Sequence, residues 1–210
     1  MGAPNAIESL NLNDRVDRSA LSYAAEKGDL STISCLLETN SHIIGIDSKD
    51  NTGSTALSYA ARMGHTEIVE LLLSCPGVNA DSPDENGWTP LSWSARYGDE
   101  KVVQMLLNHK DVTTNRADND GMTPLIWAAL KGQTNIQDDV DPNSRDNEQR
   151  TPLYWAVYMA AEGVVTLLLE NDEVNPLAES LDQETPVLLA EIFKQERVLK
   201  QLKEKIDRIT

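Results

Sequence analysis

Cysteine, histidine and basic side chains are scarce in this chain, and each scarcity removes a class of function. Two cysteines occur in 210 residues, Cys35 and Cys75, at unmatched points of the pattern described below. So few excludes a disulfide framework and fits a reducing compartment, cytoplasmic or nuclear rather than secreted. The three histidines, His42, His65 and His109, have no cysteine or carboxylate at ligand spacing, so no metal or other cofactor is expected. Lys and Arg number 18 against 34 Asp and Glu, a formal net charge of −16. Nucleic-acid binding needs a basic surface, and this chain lacks one. Only the C-terminal stretch is basic, with Lys194, Arg197, Lys200, Lys203, Lys205 and Arg208. Its interleaved Glu191, Glu196, Glu204 and Asp207 read as a mixed-charge helix surface. No apolar run approaches the roughly 20 residues of a membrane helix. The opening "MGAPNAIESLNLNDRVDR" has no charged start followed by an apolar run, so neither span nor signal peptide is expected. A myristoylation pattern on Gly2 would want Ser or Thr where Ala6 stands. No Walker loop, G-x-S-x-G or Rossmann fingerprint occurs, and no catalytic constellation is recognisable.

What the chain has is a repeat. Thr89-Pro90-Leu91 recurs as Thr123-Pro124-Leu125 and Thr151-Pro152-Leu153, with looser copies at Ser19, Thr55 and Thr185. The intervals between starts are 36, 34, 34, 28 and 34 residues. In each copy a turn such as "DENG" or "DNDG" precedes a Thr placed to cap a helix, with Pro at the first helical position. A short helix then runs to a Gly (Gly28, Gly64, Gly98, Gly132). A second, more apolar helix follows, such as "TEIVELLL" or "EKVVQMLL".

These residues resemble the ankyrin repeat, a turn and two helices in about 33 residues with the signature T-P-L-H-x-A. The match covers roughly residues 15 to 205, in a flavour similar to fungal ankyrin arrays. The resemblance implies an all-α solenoid of about six helix-turn-helix units with β-turn or hairpin tips. It would form a single domain over residues 15–208, with repeats starting near 17, 53, 87, 121, 149 and 183, behind a mobile segment 1–14. The polar start of the first copy and the ending "KQERVLKQLKEKIDRIT" suit end caps that tolerate water. Two departures stand out. Where the family carries His this chain has Ser22, Ser58, Ser92, Ile126, Tyr154 and Leu188, which puts the usual side-chain hydrogen bond between turns in doubt. The turn Gly gives way to Gln149 and Gln183 in the last two copies. His65 follows Gly64 where the motif commonly has His, which implies a structural role.

The interval of 28 has a location. Gly64 to Val78 and Gly98 to Val112 each span 14 residues, but Gly132 to Val140 spans 8, so six residues are missing from the second helix of the fourth copy. That is about 9 Å of helix. The expectation is a loop or single turn there, with apolar flanks of copies three and five exposed unless they close up. A hinge or docking notch competes with a tolerated lesion.

Counting the Thr as place one, places three, six and seven share a face (Leu91, Ser94, Ala95; Leu125, Ala128, Ala129) and should be buried. Places five, eight and nine lie opposite. Place five reads Tyr23, Tyr59, Trp93, Trp127, Trp155, Leu189; place eight reads Glu26, Arg62, Arg96, Leu130, Tyr158, Ile192; place nine reads Lys27, Met63, Tyr97, Lys131, Met159, Phe193. Eight of the chain's ten aromatic residues occupy these three places. In the ankyrin resemblance that face is the concave one. The aromatics either seal repeat against repeat or anchor a partner, and a Trp or Tyr can do both.

The expected function is therefore a non-catalytic module binding another protein or a basic or aromatic peptide segment. Tyr59, Arg62, Trp88, Trp93, Arg96, Tyr97, Trp127, Lys131, Trp155 and Tyr158 are the candidate contacts. A small hydrophobic or cationic ligand in the same trough, with or without turnover, is the alternative. A third reading is an accessory array for an effector on another chain. No nucleic acid or membrane is expected as partner, and the chain is expected to be a monomer. The carboxylates of the turns (Asp81, Asp84, Glu85, Asp118, Asp120, Asp138, Asp139, Asp141, Asp146, Glu148) read as solvated surface. Cys35 is expected to be buried and inert, and Cys75, in a loop, reactive.

Overall fold

The computed structural model describes residues 17–40, 45–134 and 140–209. The expected mobile segment 1–14, and residues 135–139 of the shortened unit, lie outside that range. Eleven helices and no strand are formed among the described residues. The first helices are α1 (Ala20–Lys27), α3 (Ala56–Met63), α5 (Pro90–Tyr97), α7 (Pro124–Lys131), α8 (Pro152–Tyr158) and α10 (Pro186–Ile192). The second helices are α2 (Leu30–Asn40), α4 (Thr66–Ser74), α6 (Glu100–Leu107), α9 (Glu162–Glu170) and α11 (Glu196–Ile209).

The local chemistry is that of the repeat. Ser19, Thr55, Thr123, Thr151 and Thr185 cap their helices by accepting the N–H three residues on, and Thr89 does the same for Ser92 at 3.2 Å. Each such cap stabilises its helix by about 1 kcal/mol. The Ser at the family's His place turns inward, with 3.1 Å between its hydroxyl and the cap hydroxyl in Ser19–Ser22, Thr55–Ser58 and Thr89–Ser92. Among the described residues at that place, Tyr154 alone is seen to reach the next turn, donating to Glu184 at 2.6 Å.

Losing the turn glycine did not change the turn. Gln149 and Gln183 adopt φ of 62° and 63°, where Gly53, Gly87 and Gly121 have 77°, 84° and 79°. The substitution costs about 1–2 kcal/mol of left-handed strain at each site. Gly121 has a second reason to be glycine. A Cβ there would stand 2.6 Å from the amide nitrogen of Asn147, which donates to the Asp120 carbonyl in stacking turn on turn.

Two compact units make up the chain. The first runs to Ser94 and includes Asp99–Thr113; the second takes Ala95–Gly98 and Thr114 onward. In the first, Leu21, Leu57 and Leu91 of the first helices meet Ile33, Leu36, Ile68, Val69, Leu72, Val102, Val103 and Leu106 of the second helices. In the second, Leu125, Leu153 and Leu189 meet Val164, Val165, Leu168, Leu169, Val198 and Leu202. Small residues at places six and seven, such as Ala60–Ala61 and Ala128–Ala129, are fully or nearly buried and permit close helix approach.

Several expectations need correction. Of the two outcomes expected for the apolar flanks of the shortened unit, exposure does not occur: Val102, Val103 and Leu106 in α6 and Val164, Val165, Leu168 and Leu169 in α9 are buried. Lys205 is not part of a charged surface. Its stem is wholly buried, and its ammonium donates to the Asn171 carbonyl at 2.9 Å and Asp172 at 3.1 Å, placing a cation at the C-terminus of α9. The last repeat carries its charges on α11, but its turn and first helix expose Leu177, Leu181, Leu188, Ile192 and Phe193, so it is only half a water-tolerant cap. The cysteines are reversed: Cys35 is exposed. Cys75 is half-buried, donates to the Leu71 carbonyl at 3.3 Å, and has its thiol pKa pushed up by burial. His65 is structural, its Nε2 3.2 Å from the Glu26 carbonyl.

Candidate interaction surface

The aromatic places are built on a turn carboxylate. Asp50, Asp84, Asp118 and Asp146 each stand nine residues before the place-five aromatic of their repeat. In every case one carboxylate oxygen takes the aromatic's polar hydrogen: Tyr59 to Asp50 at 2.6 Å, Trp93 to Asp84 at 3.3 Å, Trp127 to Asp118 at 2.8 Å, and Trp155 to Asp146 at 3.0 Å. The other oxygen accepts the backbone N–H groups two and four residues on, between 2.9 and 3.0 Å. All four carboxylates are buried, as is Asp81, so Asp81, Asp84, Asp118 and Asp146 are internal and not the solvated surface expected of them. Burial pushes Asp118 above the ordinary carboxylate pKa. At Asp50 burial pushes the same way, but hydrogen bonds from Tyr59, Thr52 and Ser54 outweigh it and the pKa lies below the ordinary value. Burial and the Asp50 partnership push Tyr59 up to about 12.

Guanidinium groups cover the faces of these rings. In the first unit Arg62 lies 5.0 Å from the Tyr59 ring centre and 5.5 Å from that of Trp93. In the second, Arg96 lies 4.8 Å from Trp127 and Arg150 lies 4.5 Å from Trp155. Each such contact contributes roughly 0.5–1 kcal/mol where water has access. Trp88 is buried, its ring centre 4.3 Å from that of Trp93.

The candidate residues therefore fall into three groups. Tyr59 and Trp88 are buried and present no ring face. Trp93, Trp127, Trp155, Arg62 and Arg96 are half-buried and engaged with one another or with turn carboxylates. Tyr97, Lys131 and Tyr158 are exposed. Met159 and Phe193, beyond the expected set, are exposed beside Tyr158, whose ring lies edge-on to Phe193 at 5.7 Å and 78°. Rings whose faces are held by the chain's own cations leave little room for a cationic small molecule at place five.

Comparison with known families decides what kind of chain this is. A family model described as ankyrin repeats (3 copies) matches residues 2–84 and 73–138, and one described as ankyrin repeat matches 148–180. The chain belongs to the ankyrin-repeat family. No curated protein matches it. Ankyrin repeats are generally protein–protein interaction modules. No described helix of this ankyrin chain is long and apolar enough to cross a membrane. What the sequence reading missed was the carboxylate clamp, although the signal was present. Asp and a hydrogen-donating aromatic recur nine residues apart in four copies, and in the last copy both change together, to Ser180 and Leu189. Asp14 stands at the same spacing before Tyr23 but lies outside the described residues.

Proposed function

We propose that the protein is a non-catalytic binding module that takes a partner segment on places eight and nine of its second unit, rather than on the place-five ladder. The observation carrying this reading is the row of exposed residues ending successive first helices: Tyr97, Lys131, Met159 and Phe193, with Tyr158 edge-on to Phe193. Aromatic side chains held by neighbours yet open to water lose little entropy on binding and serve as anchors. The row suits a segment bearing aliphatic or aromatic side chains. The net charge of −16 favours basic residues flanking it, which would speed encounter more than tighten the complex. The clamped Trp127 and Trp155 then serve as the rigid floor. The two thiols, neither of them in a disulfide, fit a reducing compartment.

The test is capture of partners from cell extract by the wild type and by a Tyr158→Ser, Phe193→Ser double variant, identified by mass spectrometry. A specific partner retained by wild type should be lost at least 10-fold in the variant, with circular dichroism and urea midpoint preserved. Equal capture by both folded proteins would refute the surface.

A further inference from the structure

We propose that Arg62, with Lys27 beside it, receives a carboxylate of an acidic partner segment on the first unit. Arg62 and Arg150 both cover rings, and their side chains are almost equally exposed, at 30% and 29%. They differ in where their N–H groups go. Arg150 gives its Nε hydrogen to Asp146 at 2.8 Å, so the carboxylate that clamps Trp155 also anchors the guanidinium. In the repeat of Arg62 the matching oxygen of Asp50 takes the Tyr59 hydroxyl instead, at 2.6 Å. Among the described residues the only polar partner of Arg62 is Glu26, and that contact is 3.5 Å long. A charge-assisted bond from a guanidinium to a carboxylate is normally about 2.7–2.9 Å. Arg62 is therefore held by two rings, 5.0 Å from the centre of Tyr59 and 5.5 Å from that of Trp93, while its N–H fork is left largely unspent.

Glu26 shows which kind of ligand fits. Its other oxygen has Arg18 at 2.6 Å and Lys27 at 3.6 Å. Three cations thus gather on one carboxylate, in a chain whose net charge is −16. Arg18 and Lys27 also lie over Tyr23, at 5.3 and 5.5 Å, so rings and cations support one another across this part of the unit. The turn acids Asp50 and Asp84 spend their oxygens on ring-edge and backbone hydrogens. A guanidinium already fixed by rings loses little freedom on binding and offers parallel donors to a carboxylate. Lys27, with 57% of its side chain exposed, adds a second charge. The opposing term is repulsion from the rest of the acidic chain. Salt screens that over about 8 Å at physiological ionic strength, whereas the cations act in contact. A phosphate group, with about twice the charge, would meet more of the repulsion, which favours the carboxylate.

The experiment is an NMR titration of the Arg62 Nε–H signal with a capped tetraglutamate peptide at physiological salt. Tetraglutamine and inorganic phosphate are the comparison probes. Tetraglutamate should shift the signal with a Kd of about 1 mM or below, and more weakly as salt rises. Tetraglutamine should not shift it, and phosphate should bind less tightly than tetraglutamate. Arg62→Gln, followed on backbone amides around Met63, should raise Kd at least about 10-fold. Glu26→Gln removes the resident competitor and should lower Kd several-fold. Should Arg62→Gln fail to fold, Arg62→Lys keeps a cation over the rings and should still raise Kd several-fold, because the fork is lost. No shift at about 10 mM tetraglutamate overturns the proposal. So does tighter binding of phosphate, equal binding by a folded Arg62 variant, or weaker binding in Glu26→Gln. None of these outcomes bears on partner capture by Tyr158 and Phe193.

Discussion

Replacing Asp146 by Asn should damage its repeat far more than replacing Asp50 by Asn damages its own, although each change removes one charge and one oxygen. Asp146 accepts from Trp155 Nε1 at 3.0 Å and Arg150 Nε at 2.8 Å on one oxygen, and from the Glu148 and Arg150 N–H groups at 3.0 and 2.9 Å on the other. An indole and a guanidinium can only donate. Whichever way the Asn amide is turned, its NH2 faces two donors. Two charge-assisted bonds of about 1.5–3 kcal/mol each are lost. Arg150 is part-exposed and recovers some of this from water, leaving a net cost of about 3 kcal/mol. At Asp50 the donor to the second oxygen is the Tyr59 hydroxyl, at 2.6 Å. That hydroxyl can rotate to accept from the new amide, while the remaining oxygen keeps the Thr52 and Ser54 N–H groups, so the cost is about 1 kcal/mol. Repeat arrays open locally, so native-state hydrogen exchange at the turn amides is the suitable assay. Protection at Glu148 and Arg150 should fall about 30-fold further in Asp146→Asn than protection at Thr52 and Ser54 falls in Asp50→Asn. Equal losses in the two variants would refute the hydrogen-bond inventory behind this reasoning.

Two further outcomes are expected. The two pKa shifts act on stability with opposite signs. Asp50 lies below its ordinary value of 3.8, so its contribution is complete above that pH and is lost as pH falls through the folded pKa. Asp118 lies above 3.8, so its contribution is complete below 3.8 and is lost as pH rises through the folded pKa. Urea midpoints followed down to acid pH should therefore fall less steeply in Asp50→Asn than in wild type and more steeply in Asp118→Asn; the reverse order would contradict the assignment. Under a limiting thiol reagent, Cys35 should be modified before Cys75, because Cys75 is half-buried, hydrogen-bonded and raised in pKa by burial. Peptide mapping of the modified protein reads the order.

The sequence made the architecture legible because an ankyrin unit is written in local chemistry. A capping Ser or Thr begins each first helix, with Pro following in four of the six and Gly ending the first four, and the Leu and Ala of places three, six and seven mark the buried side. Those features act within a few residues, so period and spacing reveal them. The surface was less legible. Place five faces away from the core, but facing away does not mean meeting solvent, and a carboxylate nine residues upstream turns each ring edge inward. The same blind spot hid Lys205, whose charge reads as surface until its stem is seen packed beneath the end of α9. It also reversed the cysteines, since apolar neighbours in sequence did not bury Cys35. The left-handed Gln149 and Gln183 were hidden for another reason: a strained conformation is imposed by the stacking of turns, not chosen by the residue.

The carboxylate-to-aromatic clamp also defines how such a chain can be cut and rejoined. A segment that starts before the turn Asp and ends after the place-five ring carries both halves of its own fastening. A splice between them pairs an orphaned acid with whatever ring the new neighbour supplies. Chimeras of this array exchanged at the start of the turn should thus keep their stability, while those exchanged at the helix start would be heritable misfits unless both parents had the same donor. Ser180 with Leu189 is the case in which the two halves changed together. The cassette that duplicates intact is therefore turn plus helix, a unit offset from the one suggested by the helices alone.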